Sequence, residues 1–258
     1  MTASPDLERR FGGIERLYGA GALARAAAAR VVVVGIGGVG SWSAEALARS
    51  GIGHLTLIDL DHVAESNINR QIHALDATLG APKAGAMRER IAGINPSCVV
   101  DVVEEFVDER NPPGLIPTCE AVIDATDHVR AKAALIAHCR RIGIRIVTTG
   151  GAGGRVDPTR IEVADLARTA GDALASKVRA RLRREYGFSR DPKRKFGVDC
   201  VYSSEPLRRA AEACTPGAAA GFDPGAGLGC AGYGSSVAVT AGFGFAAAAR
   251  VLAGILAA

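Results

Sequence analysis

The chain has 258 residues, of which 48% are hydrophobic and 22% are charged, and this ordinary globular composition excludes a largely disordered chain. Its six cysteines include no C-x-x-C pair, which excludes a zinc site built from paired C-x-x-C knuckles. The formal net charge is +4, but residues 177–195 carry nine basic and two acidic side chains, so one strongly basic segment joins a slightly acidic body.

Strand and helix patterns alternate between residues 31 and 149. Short apolar or β-branched runs predict strands at residues 31–34, 54–59, 98–103, 121–124 and 144–149. Helical spacing predicts helices at residues 42–50, from Pro82 to the residue before Asn95, and at 129–141. Alternation of this kind builds a doubly wound, Rossmann-like α/β fold with a mostly parallel sheet.

The pattern changes after residue 149. Residues 150–166 predict a hairpin with its turn at Asp157-Pro158, and residues 198–203 predict a further short strand. We expect a single domain with an antiparallel and helical C-terminal extension. Its parts are N-terminal helices (1–30), the Rossmann-like core (31–150) and the extension (151–258).

A basic arm lies within this extension. Asp172 can cap a helix whose Leu174, Val178 and Leu182 face the core, which leaves its basic side chains pointing outward. Residues 186–196 follow as a basic loop. Such an arm suits a polyanionic partner, whereas a solvated helix face is the simpler interpretation of a charge run. The candidate contacts are Lys177, Arg181, Arg184, Arg190, Lys193, Arg194 and Lys195.

Two features bear on localisation. Residues 1–13 contain no apolar stretch of a secretory signal, so a cytoplasmic protein is expected. Residues 237–258 form an apolar helix that Arg250 interrupts. An arginine near the centre of a membrane span costs about 2.5–3.5 kcal/mol, so a helix buried against the core is favoured over a span.

A glycine loop predicts a nucleotide site. Gly35, Gly37 and Gly40 fit the pattern G-x-G-x-x-G, with Gly38 inside it, directly after the first strand and at the start of a helix. The glycines allow a tight turn and a close approach of phosphate, and the helix N-terminus favours negative charge. Asp59 ends the next strand, where its carboxylate can hold a ribose hydroxyl.

The residues that follow indicate which nucleotide is bound. Asn67, Arg70 and Gln71 come after the second strand, and Lys83 opens the next helix. Basic side chains that converge on the glycine loop suit the β- and γ-phosphates of ATP better than a dinucleotide. Asp127 follows the fourth strand, where it can reach a Mg²⁺ ion or cap a helix. Solvent-facing charge is the alternative interpretation of Arg70 and Lys83.

At these residues the chain resembles the adenylation domain of the ubiquitin-activating enzyme superfamily over residues 30–150. The motifs that carry this resemblance are GIGGVGS (35–41), LIDLD (57–61), SNINRQ (66–71), Lys83 and ATD (125–127). A narrower resemblance, to tRNA threonylcarbamoyladenosine dehydratases, covers nearly the whole chain. Its motifs are RFGGIERLYG (10–19), NRQIHAL (69–75), TTGGAGG (148–154) and GVDCVYS (197–203).

The resemblance implies an enzyme that uses ATP to close the threonylcarbamoyl group of a modified adenosine, beside the tRNA anticodon, into a ring. It implies a single adenylation domain, with ATP and Mg²⁺ as cofactors. The implied roles are phosphate contacts by Gly37, Gly40, Asn67, Arg70 and Lys83, a ribose contact by Asp59 and magnesium binding by Asp127.

The resemblance also implies partners. It implies tRNA as the partner of the basic arm, and a sulfur-relay pair (a cysteine desulfurase and its acceptor) as a further partner. Dimers of the family insert an arginine from the N-terminal helix of the partner subunit, and Arg16 matches it best. Some relatives use a cysteine to carry a thioester or persulfide, and the candidates are Cys200 and Cys230. Buried structural cysteine is the simpler interpretation of both.

Two other functions stay open at this point. An adenylating activator of a small sulfur-carrier protein would use the same nucleotide site but would need no polyanion surface. Such activators usually hold zinc in two C-x-x-C pairs, which this chain does not have. A nucleotide-dependent dehydrogenase is disfavoured by the Asn67–Gln71 loop and by Lys83.

Overall fold

The computed structural model describes residues 6–208 and 233–257. Seven strands lie within these ranges. They are β1 (Arg30–Val34), β2 (His54–Ile58), β3 (Val99–Val103), β4 (Ala121–Asp124), β5 (Arg145–Thr149), β6 (Ile161–Asp165) and β7 (Asp199–Ser203). The described helices are α1 (Leu7–Tyr18), α2 (Ala22–Ala28), α3 (Gly40–Arg49), α4 (Lys83–Ile94), α5 (Pro112–Leu115), α6 (Val129–Ile142), α7 (Ala173–Glu185) and α8 (Val237–Leu256).

The strands form one sheet in the order β3-β2-β1-β4-β5-β7-β6, parallel throughout except for the antiparallel β6–β7 pair at the edge. The chain leaves β1 toward β2 and β3 on one side and returns to β4 and β5 on the other. The order therefore switches direction between β1 and β4, and open α/β sheets have their ligand crevice at the carboxyl ends of the strands at such a point. The predicted doubly wound fold is confirmed.

Helices cover both faces of the sheet. The valines at odd positions of β1 belong to a core with α2, α3, α4 and α8, and those at even positions belong to a core with α6 and α7. Successive side chains of a strand point to opposite faces, so a continuous valine run fits a strand that is buried on both sides. Because the central strands are packed on both faces, the positions of their ends are fixed.

The last helix, α8, belongs to the first of these cores. By length and composition it could cross a membrane, but ten of its residues are buried within the described part of the chain. Gly244 lets it approach α3 closely, because a Cβ there would lie 2.6 Å from the Val39 carbonyl oxygen. Arg250 pairs with Asp199 of β7 at 3.0 Å, which gives the one charge in the helix a partner on the sheet. The favoured interpretation as a core helix agrees with this packing.

The predicted hairpin at residues 150–166 is wrong. β6 pairs with β7, about forty residues later, and Pro158–Arg160 forms a 3₁₀ turn that Asp157 caps. The backbone before this turn has other hydrogen-bond partners, because the Glu205 carboxylate accepts the N–H groups of Val156 at 3.0 Å and Asp157 at 2.9 Å. A side chain thus takes the donors that a second hairpin strand would have used.

Candidate functional site

The glycine loop leaves β1 in a conformation that requires glycine. Gly35 has φ +84°, and a Cβ there would lie 3.0 Å from the Ala125 carbonyl oxygen after β4. A Cβ at Gly40, the first residue of α3, would collide with the Gly35 carbonyl oxygen. Gly37 faces open space in the described part of the chain, where the nearest atom to its Cβ position is Gln71 Nε2 at 4.0 Å. The loop therefore turns tightly and leaves room above the N-terminus of α3.

Asp59 connects the end of β2 with the glycine loop. Its Oδ2 accepts the N–H of Ile36 at 2.6 Å, and its Oδ1 accepts the N–H of Asp61 at 2.8 Å. Burial raises the pKa of this carboxyl group, and the N–H bond from Asp61 opposes the shift. Each oxygen of a carboxylate has a second lone pair, so the fixed group can still accept a ribose hydroxyl.

Arg70 is held against the glycine loop by its own segment. Its Nη1 donates to the carbonyl of Ser66 at 2.7 Å and to Asn69 Oδ1 at 2.9 Å, while its carbonyl accepts the Trp42 indole N–H at 2.9 Å. A Cβ at Gly38 would lie 3.3 Å from the Arg70 side chain. The aliphatic stem of Arg70 therefore packs beside the loop, and the residue lines the cleft where phosphate would bind.

Asn67 and Gln71 complete this segment. Asn67 Oδ1 accepts the N–H of Ala64 at 3.0 Å, so this oxygen orders the turn before Arg70. Gln71 is 5% exposed, and its Oε1 has no hydrogen-bond partner among the described residues. A buried amide oxygen without a partner costs free energy, and Gln71 lines the cleft, so a bound ligand can supply the missing donor.

Lys83 opens α4 with its ammonium group in the same cleft. Nζ lies 2.8 Å from Asp61 Oδ2, and the lysine side chain is 8% exposed against 51% for the aspartate. The carboxylate can therefore turn toward solvent while the lysine stays inside. The sequence did not indicate this partner.

Asp127 lies in the loop between β4 and α6, exposed, on the opposite side of the glycine loop from Asp59. His128 is the N-cap position of α6, so Asp127 does not cap that helix. Asp124 holds the loop from below, because its Oδ1 accepts the Thr126 hydroxyl at 2.7 Å. Its Oδ2 pairs with Lys132 at 2.8 Å in a buried ion pair.

These elements enclose one cleft of about 860 Å³ at the carboxyl ends of the strands. Nine of the predicted nucleotide residues line it: Gly35, Gly37, Gly38, Asp59, Asn67, Arg70, Gln71, Lys83 and Asp127. Gly40 lies just behind the lining, at the start of α3. Residues 105–109, after β3, and residues 149–153, after β5, close the two flanks.

Arg16 lies outside this cleft. It is exposed on α1, beside a separate surface depression between α1 and α2. Within one chain the structure therefore does not bring Arg16 to the other predicted site residues. The action of Arg16 on a partner subunit stays a prediction.

The basic arm is displayed as expected, with one exception. Six of its seven predicted contacts are exposed: Lys177, Arg184, Arg190, Lys193, Arg194 and Lys195. The outward direction predicted for Arg181 is wrong, because its guanidinium pairs with Glu109 at 3.2 Å and with Glu185 at 2.7 Å and is mostly buried. Glu109 follows β3, and its position beside α7 could not be read from the sequence.

Aromatic contacts and hydrogen bonds hold the two ends of the loop after α7 in place. The rings of Phe188 and Phe196 meet edge to face with centroids 4.9 Å apart, and Arg183 lies over the Phe196 ring at 5.4 Å. Asp165 accepts the N–H groups of Phe196 at 2.9 Å and Gly197 at 2.7 Å. The basic side chains of residues 190–195 therefore project from an anchored turn.

Of the two candidate cysteines, Cys200 is fully buried on β7, and burial raises the pKa of its thiol well above the ordinary value. A thiol in that setting does not form a thiolate readily, so the simpler structural interpretation suits it. Cys230 lies outside the described residues.

Two buried ion pairs beneath the cleft were not predicted: Asp124 with Lys132, and Arg155 with Asp172. The burial of Lys132 could have been inferred from the sequence, because it shares a face of α6 with Ile136 and Cys139, where a solvated lysine would not be expected. The burial of Arg155 could not, because nothing in its local sequence indicates it.

A doubly wound sheet with a glycine loop, a carboxylate after β2 and two basic side chains at its switch point defines a nucleotide-binding α/β protein. The chain belongs to the ThiF family, whose model matches residues 12–258. It is 47% identical to the tRNA threonylcarbamoyladenosine dehydratase of Haemophilus influenzae over 98% of this chain and 95% of that protein. The resemblance read from the motifs is thereby confirmed.

A solved structure gives the same result. The Escherichia coli tRNA N6-threonylcarbamoyladenosine dehydratase in complex with ATP is 49% identical, with a TM-score of 0.86 over 100% of this chain and 98% of that one. The molybdopterin-synthase adenylyltransferase of E. coli is 37% identical over only 46% of this chain and 48% of its own length.

Proposed function

We propose that this chain is an ATP-dependent tRNA threonylcarbamoyladenosine dehydratase that works as a single adenylation domain. The observation that carries the proposal is the full-length likeness to a dehydratase that binds ATP, combined with a cleft whose lining suits a triphosphate. Likeness to a sulfur-carrier activator covers only 46% of the chain, so that alternative has less support.

The nucleotide takes a defined direction in the cleft. Asp59 holds the ribose after β2, and the glycine loop with the N-terminus of α3 receives the phosphates. Arg70 and Lys83 neutralise the phosphate charge, with Lys83 exchanging the exposed Asp61 for a phosphate oxygen. Asn67 and Gln71 position this segment and contribute amide groups.

Asp127 is the residue that would hold Mg²⁺. Magnesium sites at phosphates typically use one or two carboxylates together with phosphate oxygens and water, and Asp127 is an exposed carboxylate that lines the cleft and caps no helix. When bound there, the ion would neutralise charge that develops on the phosphate oxygens.

The chemistry begins with a carboxylate that is a poor electrophile, because its leaving group would be oxide. In the proposed reaction a carboxylate oxygen of the threonylcarbamoyl group attacks a phosphorus of ATP. Attack at the α-phosphorus expels pyrophosphate, and attack at the γ-phosphorus expels ADP. A neighbouring atom of the same group then attacks the activated carbonyl carbon, loses its proton, closes the ring and expels the phosphate-bearing oxygen. The protein positions the groups and neutralises charge, and no enzyme thiol is required.

The same proposal includes the partners. The exposed basic side chains of α7 and residues 190–195 contact the tRNA backbone, while the cleft receives the modified base. A homodimer brings Arg16 of one subunit to the phosphates of the other. The chain works in the cytoplasm without stable membrane association, and a sulfur-relay pair is a further partner that the family pattern implies.

The test is tRNA-dependent ATP consumption. The purified protein is incubated with ATP, Mg²⁺ and bulk tRNA that carries the linear threonylcarbamoyl modification, and both nucleotide release and the modified nucleoside are measured. We expect ATP consumption together with the loss of one water mass from that nucleoside. ATP consumption driven instead by a carrier protein with a C-terminal diglycine would support the alternative, and an NAD-dependent absorbance change without ATP turnover would overturn both.

A further inference from the structure

The cleft has a second glycine-lined wall, opposite the side that holds the ribose. Residues 150–153 follow β5, and in the strand order β4 and β5 lie on the other side of β1 from β2 and β3. Asp59 lies at the β2 end and the glycine loop lies at β1. A nucleotide held by these two features leaves the wall after β5 on the opposite side of the glycine loop from Asp59.

A buried ion pair fixes this wall. The Gly151 N–H donates to Asp172 Oδ2 at 3.0 Å, and its carbonyl accepts Arg155 Nη1. The Arg155 and Asp172 side chains are each 1% exposed and lie 3.2 Å apart. Charges are costly to bury, and here both are satisfied by hydrogen bonds, so the backbone at Gly151 is held from two sides.

Gly151 leaves space that the fold does not need. A Cβ at Gly151 meets no described atom within 4 Å, and its φ lies outside the left-handed region that favours glycine. A Cβ at the neighbouring Gly150 would collide with Asp172. The packing therefore requires glycine at 150, whereas at 151, which lines the cleft, a Cβ would meet no described atom.

The size of the cleft allows a second group. Its volume of about 860 Å³ is near the upper end of the roughly 300–1,000 Å³ that ligand pockets span. A buried and unpartnered Gln71 oxygen marks the glycine-loop half as a ligand site. The half beside residues 150–153 is the remaining volume into which a second reactant can enter.

We propose that the wall at Gly150–Gly153 is the substrate side of the cleft, where the carboxylate-bearing threonylcarbamoyl side chain of the modified adenosine lies against the backbone. The inference rests on the proposed function. It assigns the two glycine segments of the cleft to two reactants, with Gly37 beside the nucleotide and Gly151 beside the acyl group. Asp172 also caps α7 through Ala175, so the basic helix and this wall share one fixed residue.

A matched pair of substitutions tests this assignment. Gly151→Val and Gly37→Ala both place new atoms in the cleft where the described protein offers no close contact. We expect Gly151→Val to lower kcat/KM for tRNA by about 10²-fold, because a displacement of about 1 Å at the reacting groups can cost that much, with ATP affinity within twofold of the parent. We expect Gly37→Ala to weaken ATP binding instead. Binding is measured with ATP alone, and thermal unfolding checks that both variants fold.

Three outcomes overturn the inference. One is a folded Gly151→Val variant with parent-like kcat/KM for tRNA, and another is one that loses ATP affinity as strongly as Gly37→Ala. Gly151→Ala, a smaller change, gives the same readout if the valine variant does not fold. A parent protein that consumes no ATP in the presence of tRNA overturns the proposed function, and the inference with it, so the two failures are distinguishable.

Discussion

Arg70 and Asp127 approach the glycine loop from opposite sides, and neither carries much of the fold. Among the residues that the structure describes, the Arg70 guanidinium bonds only to Ser66 and Asn69 in its own segment, and Asp127 is exposed. We expect Arg70→Ala and Asp127→Ala each to lower turnover by about 10²–10³-fold, because in the proposed function each removes one charge contact to the transition state. Thermal unfolding should stay close to the parent.

The matched control is Arg88→Ala, which removes an exposed arginine from α4 outside the cleft. It should keep parent-like ATP consumption. If Arg70→Ala or Asp127→Ala also keeps it, the placement of the triphosphate is wrong.

His73 makes stability depend on pH. It is buried with neither ring nitrogen hydrogen-bonded among the described residues, and burial, with the charges of Lys83 and Arg90, lowers its pKa from 6.5 to about 4. The unfolded chain therefore binds a proton between these values while the folded one does not. Stability is fully present above pH 6.5 and falls as the pH drops toward 4, by an amount on the order of 3 kcal/mol.

Replacing the imidazole tests this dependence. His73→Leu should remove His73's share of the acid sensitivity between pH 6.5 and 4, as measured by urea unfolding at several pH values, while His62→Leu, at an exposed position, should leave it unchanged. Equal acid sensitivity in the parent and in His73→Leu would contradict the assignment.

Among single residues, the sequence predicted those that closely follow a strand of the predicted parallel sheet. Gly37, Asp59 and Arg70 reach the cleft because parallel strands bring their carboxyl ends to one edge. It did not predict ion pairs such as Arg155 with Asp172, because such a pairing depends on how an irregular segment folds back under α7.

The same contrast holds for whole elements. The predicted strand at 54–59 is observed at His54–Ile58, and the predicted helix from Pro82 begins at Lys83, because a buried strand and a proline at a helix start both have strong local signals. β6 was assigned the wrong partner, because its neighbour β7 lies beyond α7 and a long loop. Local turn chemistry at Asp157-Pro158 is equally compatible with a hairpin and with the observed 3₁₀ turn.

The packing at the base of the basic loop allows a specific prediction about its exposed charges. Arg190, Lys193, Arg194 and Lys195 are exposed on a turn whose base is closed by aromatic packing, so neutralising all four should leave the fold intact. We expect the quadruple variant to bind tRNA more weakly and with a flatter salt dependence. Each lost phosphate contact should lower the log–log slope by roughly 0.7–0.9. ATP affinity should hardly change.

Arg181 provides the internal control for this experiment. Its guanidinium is already paired with Glu109 and Glu185, so Arg181→Gln should change the slope by less than one contact and should instead loosen α7. Titrations of tRNA at several salt concentrations measure both variants. An unchanged affinity and slope in the quadruple variant would show that the loop is a solvated surface.

In the whole molecule, the cleft lies at the point where the strand order reverses. All of the residues proposed to contact the nucleotide lie in or beside the cleft of one chain, except Arg16. Arg16 is exposed on α1, outside the cleft lining, and its neighbour Leu17 is 74% exposed. A symmetric dimer would place equivalent surfaces against each other and would give each cleft an arginine from its partner. The sequence could suggest this only through the family pattern, because a single chain does not show where Arg16 acts.

Mixing two inactive variants tests the shared site. In a heterodimer of Arg16→Ala and Asp127→Ala protomers, the cleft of the first keeps Asp127 and receives an intact Arg16 from the second, so one of two sites is complete. With random exchange half of the dimers are mixed, and we expect about a quarter of parent activity. Mixing Arg70→Ala with Asp127→Ala protomers is the control, because both changes lie in a chain's own cleft and every site then keeps a defect. Recovery in the first mixture alone supports an arginine acting across the interface, and equal inactivity of both mixtures, after subunit exchange has been verified, contradicts it.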